Sequence, residues 1–546
     1  MPPTRDQNLK QAAAALASGD HLAVERLGRE ILGRSPLDPH ALAWVGIALT
    51  AQGRYAESVP YFRRALSVEP GNPGAHLNLG NALQEVGELR EAIGAFRQAL
   101  ALEPAYPEAL NSLGAALAQQ GSAQEAIACY RKALELRPEY AEAHNNLAQA
   151  LLAQGGESEA LASFRRAASL QPANTGFHHD LGTALARLGA WDEAVVHYER
   201  AVTLDPLSAE SQYSLAVLRM FRQEFEPAWR GYEARFQCIR SSLRKSAETV
   251  GVYERLPRWR GPGEAGVREV AVWGEQGLGD QVLFSTLIPA LIEARTPFAY
   301  EVDRRLLGAY ERAFPGIRFM AGAEPPHAAL QRASRVLMAG SLPKLFRHSR
   351  ADFARQPRKL FCALPGRVEH YRHRLDEHGP ELKVALSWRS DRKDPLGSRK
   401  SAPLADFSEL LKLPGVQFVD VQYGDTAGER RRAEEATGAR LLRFEEVDHF
   451  NDLEELLAIL EACDLVISTS NVTAHFAGAL GKPAWLLYLA GRPPFHYWAH
   501  DGSHRCLWYP SIEIVTRPDL ADWTSLTRHV AARLQVLTAQ PRIPDR

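Results

Sequence analysis

Cysteine is scarce in this chain: Cys129, Cys238, Cys362, Cys463 and Cys506 are the full set, odd in number and without a close pair. Neither a disulfide framework nor a zinc site is built from such a set, and the usage fits a reducing compartment. Charge of one sign is lacking too, since 64 basic residues stand against 65 acidic ones. That balance leaves no electrostatic footprint for nucleic acid or for an anionic membrane surface. No run approaches the roughly 18 apolar residues of a membrane span, and MPPTRDQNLKQAAAALASGD contains no apolar core of signal-peptide length. The expectation is a cytoplasmic protein with no membrane span and no nucleic-acid partner. A Walker lysine, a G-x-S-x-G elbow and a ligand-spaced His/Cys/Asp cluster are missing as well, so neither a nucleoside triphosphatase, a serine hydrolase nor a metal site is expected.

What is present is length and a repeat. The 546 residues, 45% hydrophobic and 24% charged, have a globular composition and exceed one ordinary core. Over the first 236 residues the sequence matches itself at a period of 34. Glycine recurs at Gly19, Gly53, Gly87, Gly121, Gly155 and Gly189, and proline at Pro36, Pro70, Pro104, Pro138, Pro172 and Pro206. An aromatic column (Phe62, Phe96, Tyr130, Phe164, Tyr198, Tyr232) is followed three residues later by alanine at Ala65, Ala99, Ala133, Ala167 and Ala201. Each period reads as two helices: small residues such as Gly80 and Gly114 let them approach, glycine turns the chain, and proline ends the unit. No such unit buries its apolar face alone, so neighbours must stack.

The stretch AHLNLGNALQEVGELREAIGAFRQALALEP, Ala75 to Pro104, resembles the tetratricopeptide repeat (TPR), and the resemblance extends from residue 6 to about 236 with degenerate first and last units. It implies an α-solenoid of about seven repeats, a TPR superhelix whose groove takes an extended peptide or a partner protein. The groove columns hold Asn78, Asn81, Asn111, Asn145, Asn146 and Asp180. They resemble a broken version of the asparagine ladder of O-GlcNAc-type protein glycosyltransferases. An amide offers both a donor and an acceptor and so can hold a peptide bond of any sequence. Solvated helix positions are the alternative.

After Phe236 the register is lost. Residues 241–265 read as a linker that ends in a Pro/Gly cluster and docks through Arg258-Trp259-Arg260-Gly261. From Val267 onward, short apolar runs alternate with helical segments. REVAVWGE, FAYEVD, FMAG, RVLMAG, KVALSW, QFVDVQ, DLVIST and AWLLYL read as strands, and QVLFSTLIPALIEA as a helix. Alternation of this kind means parallel sheets covered on both faces. Two halves are expected, 266–380 and 381–546, after a repeat domain of 1–240 and the linker.

Ligands of open α/β sheets sit at the carboxyl ends of strands, which singles out three loops. GEQGLGDQ, Gly274 to Gln281, offers glycine amides (Gly277, Gly279) and opens a helix that Asp280 could simply cap. SWRSDRKDPLGSRKSAPL concentrates Arg389, Lys393, Arg399 and Lys400, which suits a diphosphate, or is a solvated charge run. DLVISTSNVTAHFAGALGKPAWLL ends a strand in Ser470, Asn471 and Thr473, which can cap a helix carrying His475 in its first turn.

GLGDQVLFSTLIPAL and TAHFAGALGKP resemble the two signature stretches of heptosyltransferase-like glycosyltransferases. VQYGD, DHFNDLEELLAILEACDLVIS and LWYPSIEIVTRPDLADW resemble further stretches of bacterial TPR proteins carrying that domain. The resemblance runs from about Trp259 to Leu526 and implies the GT-B architecture, two facing Rossmann-like domains, with a nucleotide-sugar as co-substrate and neither cofactor nor metal. It makes Asp280 the general base and assigns the donor to Gly277, Gly279, Arg389, Lys393, Arg399, Lys400, Ser470, Asn471, Thr473 and His475. Where those relatives have Asp-Thr, this chain has Ser470-Asn471. ADP-, CMP- and UDP-linked sugars all stay open. Three functions follow: a protein O-glycosyltransferase whose repeats hold the acceptor, flagellin first among candidates; a saccharide or lipid glycosyltransferase that uses its repeats for recruitment; or a scaffold whose catalytic domain has decayed.

Overall fold

The computed structural model describes residues 5–238, 246–275, 277–323, 326–379, 381–390, 400–489, 498–516 and 522–539. The chain divides into two compact units, residues 1–185 with 203–205, and 186–202 with 206–546. The second unit therefore begins inside the repeats and not where their pattern ends.

The first unit is a succession of antiparallel helix pairs, among them Pro39–Ala51 with Tyr55–Val68, Pro73–Glu85 with Leu89–Leu102, and Pro107–Gln120 with Ala123–Leu136. Proline occupies the first turn of Pro39–Ala51, Pro73–Glu85 and Pro107–Gln120, where its missing N–H leaves no helical bond unmade. Asp38 and Asn72 stand before two of these helices and accept from Ala41 N and Ala75 N at 3.0 Å. The turn glycines take the left-handed conformation, with φ of 73° at Gly53 and 87° at Gly87.

The small and aromatic columns interlock as the period implies. A Cβ on Gly80 would lie 2.4 Å from the Phe96 ring, and one on Gly114 would lie 2.6 Å from Tyr130. Ion pairs repeat with the same period, Arg63–Glu91 at 2.6 Å and Arg131–Glu159 at 2.8 Å. Being exposed, each contributes at most ~1 kcal/mol, so the interlocked columns carry the stability.

In the second unit, the first sheet has the order β3-β2-β1-β4, with β1 Val270–Trp273, β2 Phe298–Val302, β3 Arg318–Ala321 and β4 Arg335–Met338. The second has the order β10-β9-β8-β5-β6-β7. Its strands are β5 Leu382–Ser387, β6 Val416–Asp420, β7 Leu441–Leu442, β8 Leu465–Thr469, β9 Ala484–Leu487 and β10 Ile512–Val515. Every strand pairing is parallel. The strand-like runs of the sequence all become strands; β7 and β10 are additional. The stretch expected as one helix, QVLFSTLIPALIEA, is instead Leu278–Ser285 and Ile288–Glu293. The Ser285 and Thr286 hydroxyls turn back onto Val282 O and Leu283 O, and Pro289 opens the second piece.

Residues 241–265 contain a described helix, Ala247–Arg255, which buries Tyr253 beside Trp273. Trp259 N then bonds Val336 O alongside β4 at 3.0 Å. One continuous core joins Phe225, Trp229 and Tyr232 of the last helix pair to residues of both sheets and their helices.

Glycine at the interlock and glycine in the open have opposite effects. Gly80→Ala is expected to destabilise the array by about 1–3 kcal/mol through overpacking against Phe96. Gly94→Ala, whose Cβ would have no atom within 4 Å, should stabilise it by ~0.5–1 kcal/mol. Urea denaturation followed by circular dichroism reads both, and equal effects would contradict the interlock.

Candidate functional site

Each sheet reverses its strand order once, and open α/β sheets bind ligands at that point. In the first sheet the reversal lies between β1 and β4, and β1 is followed by Gly274, Glu275 and the helix Leu278–Ser285 that Gly277 precedes. In the second it lies between β5 and β8, where Ser387 pairs with Ser468. Asn471 and Arg389 follow directly on these strands.

The two strand-exit loops meet. The Leu278–Ser285 helix and the Val472–Ala479 helix pack together by their first turns, with His475 against Gly279. A Cβ on Gly279 would stand 2.8 Å from His475 Cδ2, so any side chain there forces the helices apart. His475 is 4% exposed; its Nδ1 lies 3.2 Å from the Tyr509 hydroxyl and its ring 4.8 Å from that of Trp498. The small residues of GALG serve this packing, since a Cβ on Gly478 would lie 2.4 Å from Tyr509.

Asp280 is partly exposed on the first turn of its helix, and its Oδ2 accepts from Gly277 N at 3.2 Å. The capping role is therefore occupied by the same carboxylate that the resemblance makes a base. Burial raises its pKa to about 6; the bond from Gly277 and the Lys400 charge oppose this, and the Glu275 charge adds to it. Lys400, at the described end of the basic loop, thus acts electrostatically on Asp280. Lys393 and Arg399 lie outside the described residues.

Arg389 is engaged: it donates to Asp425 O at 2.8 Å and pairs with Glu429 at 3.4 Å. Asn471 caps the second helix by accepting from Thr473 N at 2.9 Å, and its amide donates to Ser387 Oγ at 2.8 Å. Ser470 does not cap that helix. Its hydroxyl accepts from Trp498 Nε1 at 2.9 Å, because the aromatic lid over His475 needs a partner for its indole. Thr473 is fully buried in the first turn, and its hydroxyl has no hydrogen-bond partner among the described residues.

Gln422 and His449 complete the second loop. Gln422 Oε1 collects Ser387 Oγ, Trp388 N and Arg389 N at 2.9–3.0 Å, fixing the exit of β5. It lies within VQYGD, so the segment pointed to it without showing its bonds. His449 is buried beside Gln422 O, and burial lowers its pKa to about 4, leaving it neutral.

In the first unit, Asn145 donates to Asp180 at 2.8 Å, Gln149 to the same carboxylate oxygen at 2.7 Å, and Asn146 to Asn111 at 3.0 Å. The amides thus form bonds from repeat to repeat, and the buried side-chain carbonyl of Asn145 has no hydrogen-bond partner among the described residues. Asn78 and Asn81 are half-buried on the Pro73–Glu85 helix.

Tetratricopeptide-repeat families match residues 9–75 and 179–225, 49–117 and 141–174, and a TPR-repeat family matches 116–155. The helical array is made of tetratricopeptide repeats. Protein FlbA of Caulobacter vibrioides (strain ATCC 19089 / CIP 103742 / CB 15) is 30% identical over 351 residues, 61% of this chain and 56% of that protein. The chain thus spans little more than half the length of this relative. Among solved structures, MamA is 23% identical over 30% of this chain and 97% of its own, with a TM-score of 0.27. A thermophilic TPR protein of Thermus thermophilus is 24% identical over 33% and 97%, with a TM-score of 0.30. Among the described residues no helix is long and apolar enough to cross a membrane, and no group of three or more His, Cys, Asp or Glu could hold a metal ion.

The raised Asp280 pKa makes the folded protein hold a proton that the unfolded chain gives up near pH 4, so its contribution to stability falls as pH rises from about 4 to 6. Asp280→Asn keeps an oxygen for Gly277 N and removes this dependence. It should be more stable than wild type by about 2–3 kcal/mol at pH 8 and by little at pH 4. Urea midpoints at the two pH values check this; a constant difference would contradict it.

Proposed function

We propose that the chain is a nucleotide-sugar-dependent glycosyltransferase of GT-B type that modifies serine or threonine of a protein held by the TPR array. The observation that carries this reading is the convergence of Asp280, Lys400 and the His475 helix at the strand-order reversals of two parallel sheets. A carboxylate titrating at about 6 is ionised at neutral pH yet basic enough to accept a hydroxyl proton. The freed oxygen attacks the anomeric carbon, and the bond to the nucleoside phosphate breaks with its electrons on the phosphate oxygen. Lys400 and the amides at the start of the Val472–Ala479 helix are suited to that charge, so the step requires no metal ion.

The repeats support a protein as the acceptor, because amides such as Asn78 and Asn81, each with a donor and an acceptor, are suited to peptide backbone of any sequence. Flagellin is the acceptor to try first, as the resemblance to TPR–glycosyltransferase proteins implies. A cytoplasmic location belongs to the same reading, with five unclustered cysteines in its favour. One observation favours the decayed-scaffold reading: Asn471, which stands in the Asp-Thr signature position, has its amide donating to Ser387 and its carbonyl accepting at the helix cap.

The test is the intact mass of flagellin co-expressed with the protein and a sugar-nucleotide pathway, wild type against Asp280→Asn. A sugar-sized increment with wild type, reduced by about 100-fold or more in the variant, is expected for a lost general base. An increment with both removes Asp280 from its role. No increment with either eliminates flagellin and favours a glycolipid acceptor or the scaffold.

A further inference from the structure

The last helix pair, Ala209–Phe221 with Phe225–Tyr232, carries two departures from the repeat pattern. The turn position that holds glycine in every earlier unit is Gln223, which nonetheless takes the left-handed conformation with φ of 61°. A non-glycine residue is held there at a cost, so something in its side chain compensates. Its amide donates to His500 O at 2.7 Å. His500 belongs to the segment whose Trp498 and Tyr509 enclose His475, and Trp229 of the same pair meets Trp508 edge-on at 6.2 Å.

The second departure is Arg235, which opens the one-turn helix Arg235–Cys238 after the pair and is fully buried. Its guanidinium binds Glu275 in a two-pronged contact, Nη2 to Oε1 at 2.8 Å and Nε to Oε2 at 3.1 Å. It also donates to Tyr232 O, Glu233 and Ser341, while Glu275 accepts from Gly340 N. Glu275 lies two positions past the end of β1 and two residues before the glycine that caps the Asp280 helix. A buried pair of this kind is costly to break and fixes geometry, because the planar fork admits one arrangement of the carboxylate.

We infer that the terminal TPR pair is a positioning element of the α/β site, with Arg235 fixing the Asp280 side and Gln223 the His475 side. The repeat array thereby ends as a two-ended bracket of the site, and not as a tether to it. This rests on the proposed site, but its test uses no nucleotide, acceptor or turnover, so failure of the glycosyltransferase reading leaves it answerable.

The experiment is hydrogen exchange on the full chain, together with pH-dependent carbodiimide labelling of Asp280 read by mass. Arg235→Lys keeps the charge and loses the fork. It should speed exchange across 278–285 at least tenfold and lower the Asp280 midpoint from about 6 towards 4 as the released carboxylate hydrates. A merely structural Arg235 would lower the melting temperature and leave that midpoint in place. Gln223→Gly restores the column residue, so the fold is safe; exchange across 498–509 should rise several-fold with the melting temperature unchanged or higher. If Arg235→Lys does not fold, Arg235→Met with Glu275→Met buries no charge and should show the same faster exchange across 278–285. Unchanged exchange at either end, or an Asp280 midpoint unmoved in Arg235→Lys, overturns the inference.

Discussion

The helices that leave the two parallel sheets touch where a glycine has no side chain. Gly279 lets the first turn of one helix press against His475 in the first turn of the other, and a single methyl group would separate them. Because both helices follow directly from strands at the reversal of strand order, this contact brings the two strand-exit loops together. The field at Asp280 is set in the same place: burial raises the carboxyl, and Lys400 opposes that shift. Widen the contact by a methyl group, and the loops, the charge balance and the enclosure of His475 by Trp498 and Tyr509 would all change.

Around that contact the structure uses bonds that are individually strong and spatially demanding. The Arg235–Glu275 pair is buried at both ends, and loss of one partner costs about 3–5 kcal/mol because it strands a charge. Gln422 gathers three donors on one oxygen, and Asn471 spans from the exit of β8 to that of β5. The repeats use the opposite strategy, with many weak and periodic contacts of glycine on aromatic and exposed ion pairs. An array tolerates such redundancy, whereas a site built from a few loops needs each one fixed.

The repeats were legible because a period of 34 imposes the same physical demand six times over, so glycine at Gly53 and Gly87 and aromatics at Phe62 and Phe96 declare themselves together. The strands were legible as apolar runs buried on both faces. The break of a helix at Thr286 was not, since the hydroxyl-to-carbonyl bonds of Ser285 and Thr286 compete with a helical pattern that the apolar residues continue. β7 is only two residues long, and β10 is a four-residue run, Ile512–Val515, interrupted by Glu513. In the site, Asp280 and His475 were found as separate motifs 195 positions apart, and only folding shows them on touching helices. Arg235 carries no signal in its own neighbourhood, because its partner, Glu275, is 40 residues away. Ser470 reads as a cap in sequence because its partner, Trp498, is 28 residues away.

Isothermal calorimetry of the full chain with UDP, ADP and CMP asks whether these loops form one nucleotide site. Saturable binding of one of the three is expected, weakened about tenfold by Lys400→Ala through the loss of one charge-assisted phosphate contact. Absence of binding by all three, or affinity indifferent to Lys400, would contradict a single nucleotide site.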